Sequence, residues 1–305
     1  MEVTTLEVRK DDLSEARLVT EEAPPLQPGQ ALFEVERFGL SANNVTYGAL
    51  GERLGYWRFF AASEDGWGRI PAWGYARSGD RRVFGYVPMG SHVVLALDDA
   101  LTETSAHRAG LPKAYNVYLD DPDGGDAQLL LRPLYILSFL LDDALGDPGR
   151  TVIVTSASSK AALGFARLQA DRGTTLIGLT SARNREFVER LELYDEVATY
   201  DDPPSGAGAL LVDIAGSRPI EADETILVGA THHDDLAGGD TFFSAPAELR
   251  TRRAAFEQRF PETFKRLIEW SESWLDLKAG DALDAYRAVA AGEAAPDEGF
   301  ILRLR

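Results

Sequence analysis

Residues 151–200 have the sequence TVIVTSASSKAALGFARLQADRGTTLIGLTSARNREFVERLELYDEVATY, in which three short apolar runs alternate with two amphipathic segments. Residues 151–155 are β-branched or apolar, which is typical of a central strand buried on both faces. The next segment has apolar residues at helical spacing and ends at Gly173. Residues 174–179, 185–193 and 196–200 predict a second strand, a second helix and a third strand. This order predicts one mononucleotide-binding half of a Rossmann-type doubly wound parallel α/β sheet.

The turn between the first strand and its helix predicts a phosphate site. A helix that follows a parallel strand directly presents unpaired N–H groups and a positive dipole end, which suit a pyrophosphate. The usual G-x-G-x-x-G pattern is absent, and small side chains stand where its glycines would allow close approach. Lys160 either contacts phosphate or is an ordinary solvated lysine. The expected cofactor-binding residues of this turn are Ser156, Ser158, Ser159, Lys160 and Ala161.

The loop after the second strand favours NADP(H) over NAD. A strand that serves NAD usually ends in an acidic residue for the ribose 2′-hydroxyl, whereas a nearby arginine accommodates a 2′-phosphate. Here no carboxylate appears before Glu186, and the loop offers a hydroxyl and two guanidinium groups. Ser181 can alternatively cap the next helix. We therefore expect Ser181, Arg183 and Arg185 to bind the phosphate.

Composition narrows the class of protein. The 305 residues are 45% hydrophobic and 26% charged, as in a globular protein of up to two domains. A net charge of −18 argues against nucleic acid and anionic membranes as partners. The chain has no cysteine and four histidines, so we expect no metal site. The N-terminus is unlike a signal peptide and no apolar run is long enough to span a bilayer, so we expect a soluble cytoplasmic protein.

The remaining chain predicts a second domain around this core. Residues 1–126 contain short β-rich runs between Pro, Gly and Asp clusters, and an aromatic-rich insert at 56–75 that is either core or the wall of a pocket for a flat substrate. Residues 120–126 predict a flexible acidic linker before a helix at 129–145. Two further strands are expected at 209–215 and 225–230, then helices over 247–291 with Trp270 and Trp274 on one face. Residues 300–304 alternate like an edge strand that returns to the first domain. We expect a nucleotide domain at 127–261 and a mostly β domain at 1–126 joined by 262–305.

Several segments resemble the medium-chain dehydrogenase/reductase superfamily. They are the early turn at 38–44, the Pro-x-x-Gly segment at 70–74, the Gly-Asp turn at 79–83 and the closing strand at 296–304. The resemblance implies a Rossmann domain plus a chaperonin-10-like, mostly β domain, and commonly a homodimer. Ser41 stands where zinc alcohol dehydrogenases place a cysteine, which implies a zinc-free, quinone-oxidoreductase-like protein. In detail the chain is most similar to an uncharacterised branch known only as a domain of unknown function.

Without zinc, a nicotinamide enzyme must stabilise developing charge on its acceptor by hydrogen bonds. The candidates by position are Ser41, Asn44 and Tyr47 in the early turn. His232 and His233 follow a predicted strand, where ligands of doubly wound sheets lie, and Gly229 and Thr231 beside them are expected to contact the cofactor. Each has an ordinary alternative: Asn44 as a turn residue, Tyr47 as core and the histidines as surface loop.

The leading hypothesis is therefore an NADPH-dependent, zinc-independent oxidoreductase. Its substrate would be a small conjugated carbonyl (enone) or a quinone, reduced by hydride transfer. A second hypothesis is carbonyl reduction, or a non-redox reaction that uses tightly held NADP. A hypothesis of another class is a non-catalytic NADP(H)-binding sensor or scaffold, because the phosphate turn lacks its glycines.

Overall fold

The computed structural model of the chain describes residues 1–121, 123–214, 216, 219–228, 240–243 and 245–305. They form two compact units, one of Met1–Leu130 with Ser273–Arg305 and one of Leu131–Glu272. Over these ranges no helix has the length and apolar character needed to cross a membrane.

The first unit is built on antiparallel strands, as its alternating sequence predicts. In chain order its first elements are β1 (Glu2–Arg9), β2 (Ala16–Glu22), β3 (Ala31–Leu40), α1 (Ala42–Ala49), β4 (Trp67–Gly68), β5 (Pro71–Ser78), β6 (Arg81–Pro88), β7 (His92–Leu95) and β8 (Leu119–Asp120). Helix α1 is a departure from expectation, because residues 38–44 were predicted to form a turn. They are instead the end of β3 and the first turn of α1.

Three described residues of the predicted linker at 120–126 contact the first unit. Arg82 donates to the backbone oxygen of Asp121 at 2.6 Å. The Tyr75 hydroxyl donates to the backbone oxygen of Gly125 at 3.2 Å, and Arg37 pairs with Asp126. Carbonyl groups that would otherwise face water are therefore held against the first unit's sheet.

The second unit alternates strands and helices. Its elements are α2 (Asp126–Leu145, which begins in the first unit), β9 (Val152–Thr155), α3 (Lys160–Ala170), β10 (Leu176–Thr180), α4 (Arg185–Arg190), β11 (Glu196–Thr199), β12 (Gly206–Asp213), β13 (Ala222–Leu227), β14 (Asp240–Phe242), α5 (Ala245–Thr251) and α6 (Arg253–Ser271). All strand pairs are parallel, in the order β11-β10-β9-β12-β13-β14. This is the order 3-2-1-4-5-6 of the Rossmann fold, and the predicted fold class is confirmed.

Burial explains why β9 is central. All four of its side chains are buried, and Ile153 packs with Leu179, Ala198 and Leu211 from three other strands. Helix α3 is fixed against α2 by a close approach at Gly164. A Cβ there would lie 2.9 Å from Ser138 Oγ and 3.0 Å from the Tyr135 ring. Ser138 also donates to the backbone oxygen of Ala161 at 2.7 Å, so the start of α3 is held in place.

The end of the chain returns to the first unit through β15 (Asp276–Lys278), α7 (Ala282–Ala290) and β16 (Glu298–Leu302). The larger sheet has the order β15-β16-β3-β5-β6-β8, with β7 paired to β3, and the smaller has β2-β1-β4. Residues 300–304 were expected at an edge, but β16 lies between β15 and β3. The expectation of helices throughout 247–291 is also wrong. Helix α6 ends at Ser271, so Trp274 does not share a helical face with Trp270.

Candidate functional site

The candidate nucleotide site of the second unit lies at the carboxyl ends of β9 and β12. These neighbouring strands form the point where the strand order reverses, which is where ligands of open α/β sheets bind. Thr155 ends β9 and Asp213 ends β12, and both side chains are fully buried. Thr155 Oγ1 donates to Asp213 Oδ1 at 2.7 Å and accepts from the amide of Ile214 at 2.9 Å. The two strand ends are thus joined by a side-chain bond that sequence patterns did not predict.

The turn after β9, where the sequence predicts a phosphate site, contains no glycine. Ser156 adopts a φ of 49°, the left-handed conformation that normally favours glycine. Ser159 is the N-cap of α3, and its Oγ accepts from the Ala162 amide at 3.2 Å. Lys160 and Ala161 form the first turn of the helix, and Ala161 is buried. The positive end of the α3 dipole therefore opens at the turn, as predicted.

Tyr200 completes this turn from the end of β11. Its hydroxyl oxygen accepts a hydrogen bond from the Ser156 amide at 2.9 Å, and 38% of the residue is exposed. The Ser156 N–H is thus directed at the Tyr200 oxygen, which is its acceptor in this structure. Sequence reasoning missed Tyr200 as a site residue. Its place directly after the third strand was the available signal, since that strand end meets the same edge of the sheet.

Ser158 faces the neighbouring strand. Its Oγ accepts from Asn184 Nδ2 at 3.0 Å and lies 3.4 Å from Thr180 Oγ1. Ser158 is 9% exposed. These bonds hold the phosphate turn beside the loop that follows β10, so the two predicted cofactor segments lie side by side.

The loop after β10 carries both predicted arginines. Ser181 precedes a short 3₁₀ turn, Ala182–Asn184, and α4 follows it. Arg183 and Arg185 are exposed. Arg185 Nε lies 2.7 Å from Glu189 Oε1 one helical turn later, and that bond is the largest cause of the raised pKa of Arg185. A phosphate at this loop would compete with Glu189 for Arg185.

In the first unit, Ser41 and Asn44 have structural partners. Ser41 is the N-cap of α1, and its backbone amide donates to Asn44 Oδ1 at 3.0 Å. Asn44 Nδ2 donates to the backbone oxygen of Pro71 at 3.1 Å, and Asn44 is 4% exposed. The oxygen of the Asn44 amide therefore binds the N-cap of α1, and its nitrogen joins α1 to β5.

Tyr47 belongs to a dense aromatic cluster. Its hydroxyl accepts from Trp73 Nε1 at 3.3 Å, and its ring centroid lies 4.6 Å from that of Tyr56 and 5.8 Å from that of Tyr86. Burial raises the pKa of Tyr47, an effect that the neighbouring Trp73, Asn43 and Tyr86 side chains oppose. Burial likewise raises the pKa values of Tyr56, Tyr86 and Tyr115. These phenols are therefore neutral hydrogen-bond donors at physiological pH.

Four predicted site residues, Gly229, Thr231, His232 and His233, lie outside the described residues. Within the described part of the chain no three His, Asp or Glu side chains are grouped so that they would hold a metal ion. The second unit also has a cavity of about 360 Å³. It is lined largely by ion-paired side chains such as Asp142, Arg172 and Arg259, and by none of the turn after β9.

The two units together define a medium-chain dehydrogenase/reductase fold, with a Rossmann sheet and a mostly antiparallel β unit. The model of the family described as "Protein of unknown function (DUF2855)" matches residues 38–295, and the chain belongs to that family. No curated protein matches the sequence.

Solved structures share the fold at low identity. The quinone oxidoreductase from Thermus thermophilus, whose structures include a complex with NADPH, is 15% identical at a TM-score of 0.60, with 99% of this chain and 100% of that chain covered. The quinone oxidoreductase from Coxiella burnetii is 14% identical at a TM-score of 0.56, with both chains fully covered. The CurK enoyl reductase is 11% identical at a TM-score of 0.60, with 99% of each chain covered. At these identities the likeness concerns the fold.

Proposed function

We propose that the protein is an NADPH-dependent oxidoreductase that reduces an activated C=C bond or a quinone. The observation that carries this proposal is the Ser156 turn at the reversal point of the sheet, next to the arginine loop after β10. The fold neighbours named as quinone oxidoreductases and an enoyl reductase support the same class of reaction.

The residues of the second unit fit a dinucleotide phosphate. The Ser156 amide donates to the Tyr200 hydroxyl, so a phosphate oxygen would replace that hydroxyl as its acceptor. Ser159 and Lys160 stand at the N-terminus of an eleven-residue helix, where backbone N–H groups and the dipole favour an anion. Arg183 and Arg185 would hold the 2′-phosphate that distinguishes NADP(H) from NAD(H).

A bound NADPH supplies a hydride, which together with one proton saturates the C=C bond of an enone or converts a quinone to a hydroquinone in two-electron steps. The chain's own task is to hold the acceptor and donate hydrogen bonds to the oxygen on which negative charge develops. The buried phenols of Tyr47 and its neighbours are the described groups suited to this task. His232 and His233 remain predicted donors.

The proposal is tested in two steps on the purified full chain. Titration calorimetry with NADPH and NADH should show tighter binding of NADPH. Stopped-flow absorbance at the NADPH band should then show oxidation with an enone such as 2-cyclohexenone or with 1,4-naphthoquinone. Failure to bind NADPH, or NADPH binding without oxidation by either acceptor class, contradicts the proposal. The second outcome favours the non-catalytic NADP(H)-binding protein.

A further inference from the structure

Four tyrosines of the first unit pack together, and two of them contact the ring of a third, Tyr86. The tyrosine cluster consists of Tyr47, Tyr56, Tyr86 and Tyr115. Tyr86 is fully buried, and its ring has neighbours on several sides: Tyr115 stacks on it at 4.8 Å, Phe59 meets it edge-on at 4.9 Å and Trp73 lies at 5.1 Å. Such packing explains why the rings are buried but not why so many of them carry a hydroxyl, since phenylalanine would pack as well.

Three of the four hydroxyls of the cluster have a hydrogen-bond partner among the described residues. One hydrogen bond joins the hydroxyls of Tyr56 and Tyr115 at 3.2 Å, which uses one of their two hydrogens. Tyr47 acts as the acceptor of Trp73. The Tyr86 hydroxyl is buried, and no described residue meets normal hydrogen-bond distance and angle to it. Buried donors without acceptors are costly, so a cluster of this kind is complementary to an oxygen that only accepts.

Tyr115 shows which shape the cluster accommodates. Its planar ring lies nearly parallel to that of Tyr86, at an interplanar angle of 21°, while its oxygen contacts the Tyr56 hydroxyl. Tyr115 is half-buried and is carried by a short 3₁₀ turn, Lys113–Tyr115, in the connection between β7 and β8. A flat ring with an oxygen at its edge is therefore already stacked there, and it comes from a surface segment.

We infer that the tyrosine cluster is the binding site for a planar conjugated acceptor of the quinone class, with the Tyr86 hydroxyl donating to its carbonyl oxygen and the Tyr115 ring occupying the acceptor's place until it binds. This inference rests on the proposed function for its substrate class. The acceptor displaces Tyr115, stacks on Tyr86 and supplies an oxygen that accepts from the Tyr86 hydroxyl.

The inference separates the role of the Tyr86 hydroxyl from that of its ring. Tyr86→Phe removes an unsatisfied buried donor and keeps the ring, so the melting temperature should stay constant or rise. Tyr118→Phe is the contrast, because the Tyr118 hydroxyl donates to the backbone oxygen of Tyr86 and accepts from Arg108. Its loss should lower the melting temperature. A fall for Tyr86→Phe as large as that for Tyr118→Phe would mean that the Tyr86 hydroxyl is structural and would overturn the inference.

The ligand test uses 1,4-naphthoquinone and naphthalene, which share a flat bicyclic shape and differ in the oxygens. Binding is measured by titration calorimetry on the full chain, without nucleotide and with saturating NADP⁺. The absence of cysteine removes the thiols that would consume a quinone. Tyr86→Phe should lower the affinity for naphthoquinone about tenfold, which corresponds to one good hydrogen bond, and leave the affinity for naphthalene unchanged. Tyr115→Ala should tighten both ligands, because no ring has to be displaced.

The control is Tyr286→Phe, which removes a hydroxyl bonded to the Leu13 backbone of the same unit and should leave both affinities unchanged. Equal losses for the two ligands in Tyr86→Phe, weaker binding in Tyr115→Ala, or no naphthoquinone binding by the parent under either condition would overturn the inference. Tyr86-dependent naphthoquinone binding without NADPH oxidation would leave this site standing and remove only the proposed reaction. If naphthoquinone oxidises NADPH equally fast in the parent and in Tyr86→Phe, the proposed reaction stands and the tyrosine cluster is not its acceptor site.

Discussion

The hydroxyl oxygen of Tyr200 lies 2.9 Å from the backbone nitrogen of Ser156 and accepts its hydrogen bond. The two residues are 44 positions apart and meet only because β11 and β9 end at the same edge of the sheet. The bond fixes the direction of the Ser156 amide, and Ser156 reaches that direction by a left-handed backbone. The predicted phosphate turn is therefore held by the left-handed backbone of Ser156 and by its bond to Tyr200. Glycine-rich turns instead allow close approach because they lack side chains.

The first prediction concerns the strain at Ser156. A non-glycine residue in the left-handed conformation costs about 1–2 kcal/mol of stability. Glycine avoids this cost, but its greater freedom in the unfolded chain offsets about 0.5–1 kcal/mol of the gain. Ser156→Gly should therefore raise the melting temperature slightly and Ser156→Val should lower it, as measured by differential scanning calorimetry. Ser159→Ala is the control in the same turn, because it removes the α3 cap and should destabilise by about 0.5–2 kcal/mol. If Ser156→Gly lowers the melting temperature, the serine side chain supports the turn and the left-handed backbone is not its main cost.

The second prediction concerns cofactor choice. Arg183→Ala with Arg185→Ala removes two guanidinium partners of a 2′-phosphate, and hydrogen bonds to charged groups contribute about 1.5–3 kcal/mol each. NADPH affinity should fall at least about tenfold, while NADH affinity should barely change. Fluorescence titration of both nucleotides measures this.

Two further variants refine the cofactor test. Glu189→Gln weakens the ion pair of Arg185 and should raise the affinity for NADPH, because Glu189 then competes less with the phosphate for the guanidinium group. Arg190→Ala removes another exposed arginine of α4 and should leave both nucleotides unaffected. Equal losses of NADPH and NADH in the double variant would show that the two arginines support the loop instead of the phosphate.

The third prediction concerns the core of the second unit. Asp142 is fully buried and accepts hydrogen bonds from Gln169, Arg172 and Arg259. Removing Asp142 leaves two guanidinium groups that water can partly solvate and one buried Gln169 amide without this acceptor, and an unsatisfied buried donor costs about 1–3 kcal/mol. Asp142→Ala should thus lower the free energy of unfolding by that amount in urea denaturation. Asp171→Ala breaks pairs that are about half exposed and should cost less than about 1 kcal/mol.

Sequence patterns predicted the local elements well and the non-local bonds poorly. Segments β9 to β11 were recognisable because their apolar spacing is a local property of the chain. Helix α1 was missed because its sequence, ANNVTYGA, is rich in poor helix formers, and the Ser41 cap and burial of its inner face override that preference. Strands β14 and β15 were missed because three residues carry too little periodicity to detect.

The candidate site divides in the same way. The Ser156 to Ala161 turn and the arginine loop follow directly from strand ends, so they were predictable. The Thr155–Asp213 bond and the Tyr200–Ser156 bond form only when particular strands end side by side. The order of strands in a sheet cannot be inferred from the sequence of any single segment, so these bonds were not predicted. The Asn44 amide likewise has one partner close in the sequence, Ser41, and one distant partner, Pro71, that local patterns did not indicate.

The fourth prediction concerns alkaline pH. Burial raises the pKa of each tyrosine in the cluster above the ordinary value of about 10. The folded state therefore holds these protons more tightly than the unfolded state, so their contribution to stability is complete below about pH 10 and is lost as the pH rises further. Melting temperature should fall above about pH 10. Tyrosinate absorbance of the cluster should appear only together with unfolding, and its appearance in folded protein near that pH would contradict this account.

The last prediction separates binding from chemistry at Tyr47. Its hydroxyl oxygen accepts from Trp73 Nε1, so the bond to Trp73 does not use the hydroxyl hydrogen. If Tyr47 donates to an acceptor oxygen as charge develops, Tyr47→Phe should slow single-turnover hydride transfer about a hundredfold or more and change acceptor affinity little. Trp73→Phe is the matched control, because it removes the bond to Tyr47 while leaving the phenol, and it should cost far less in rate. A parent-like rate in Tyr47→Phe, together with a lower melting temperature, would assign Tyr47 to the core. The same single-turnover measurement would then be applied to His232→Ala and His233→Ala, whose expected loss is in the rate and not in the melting temperature.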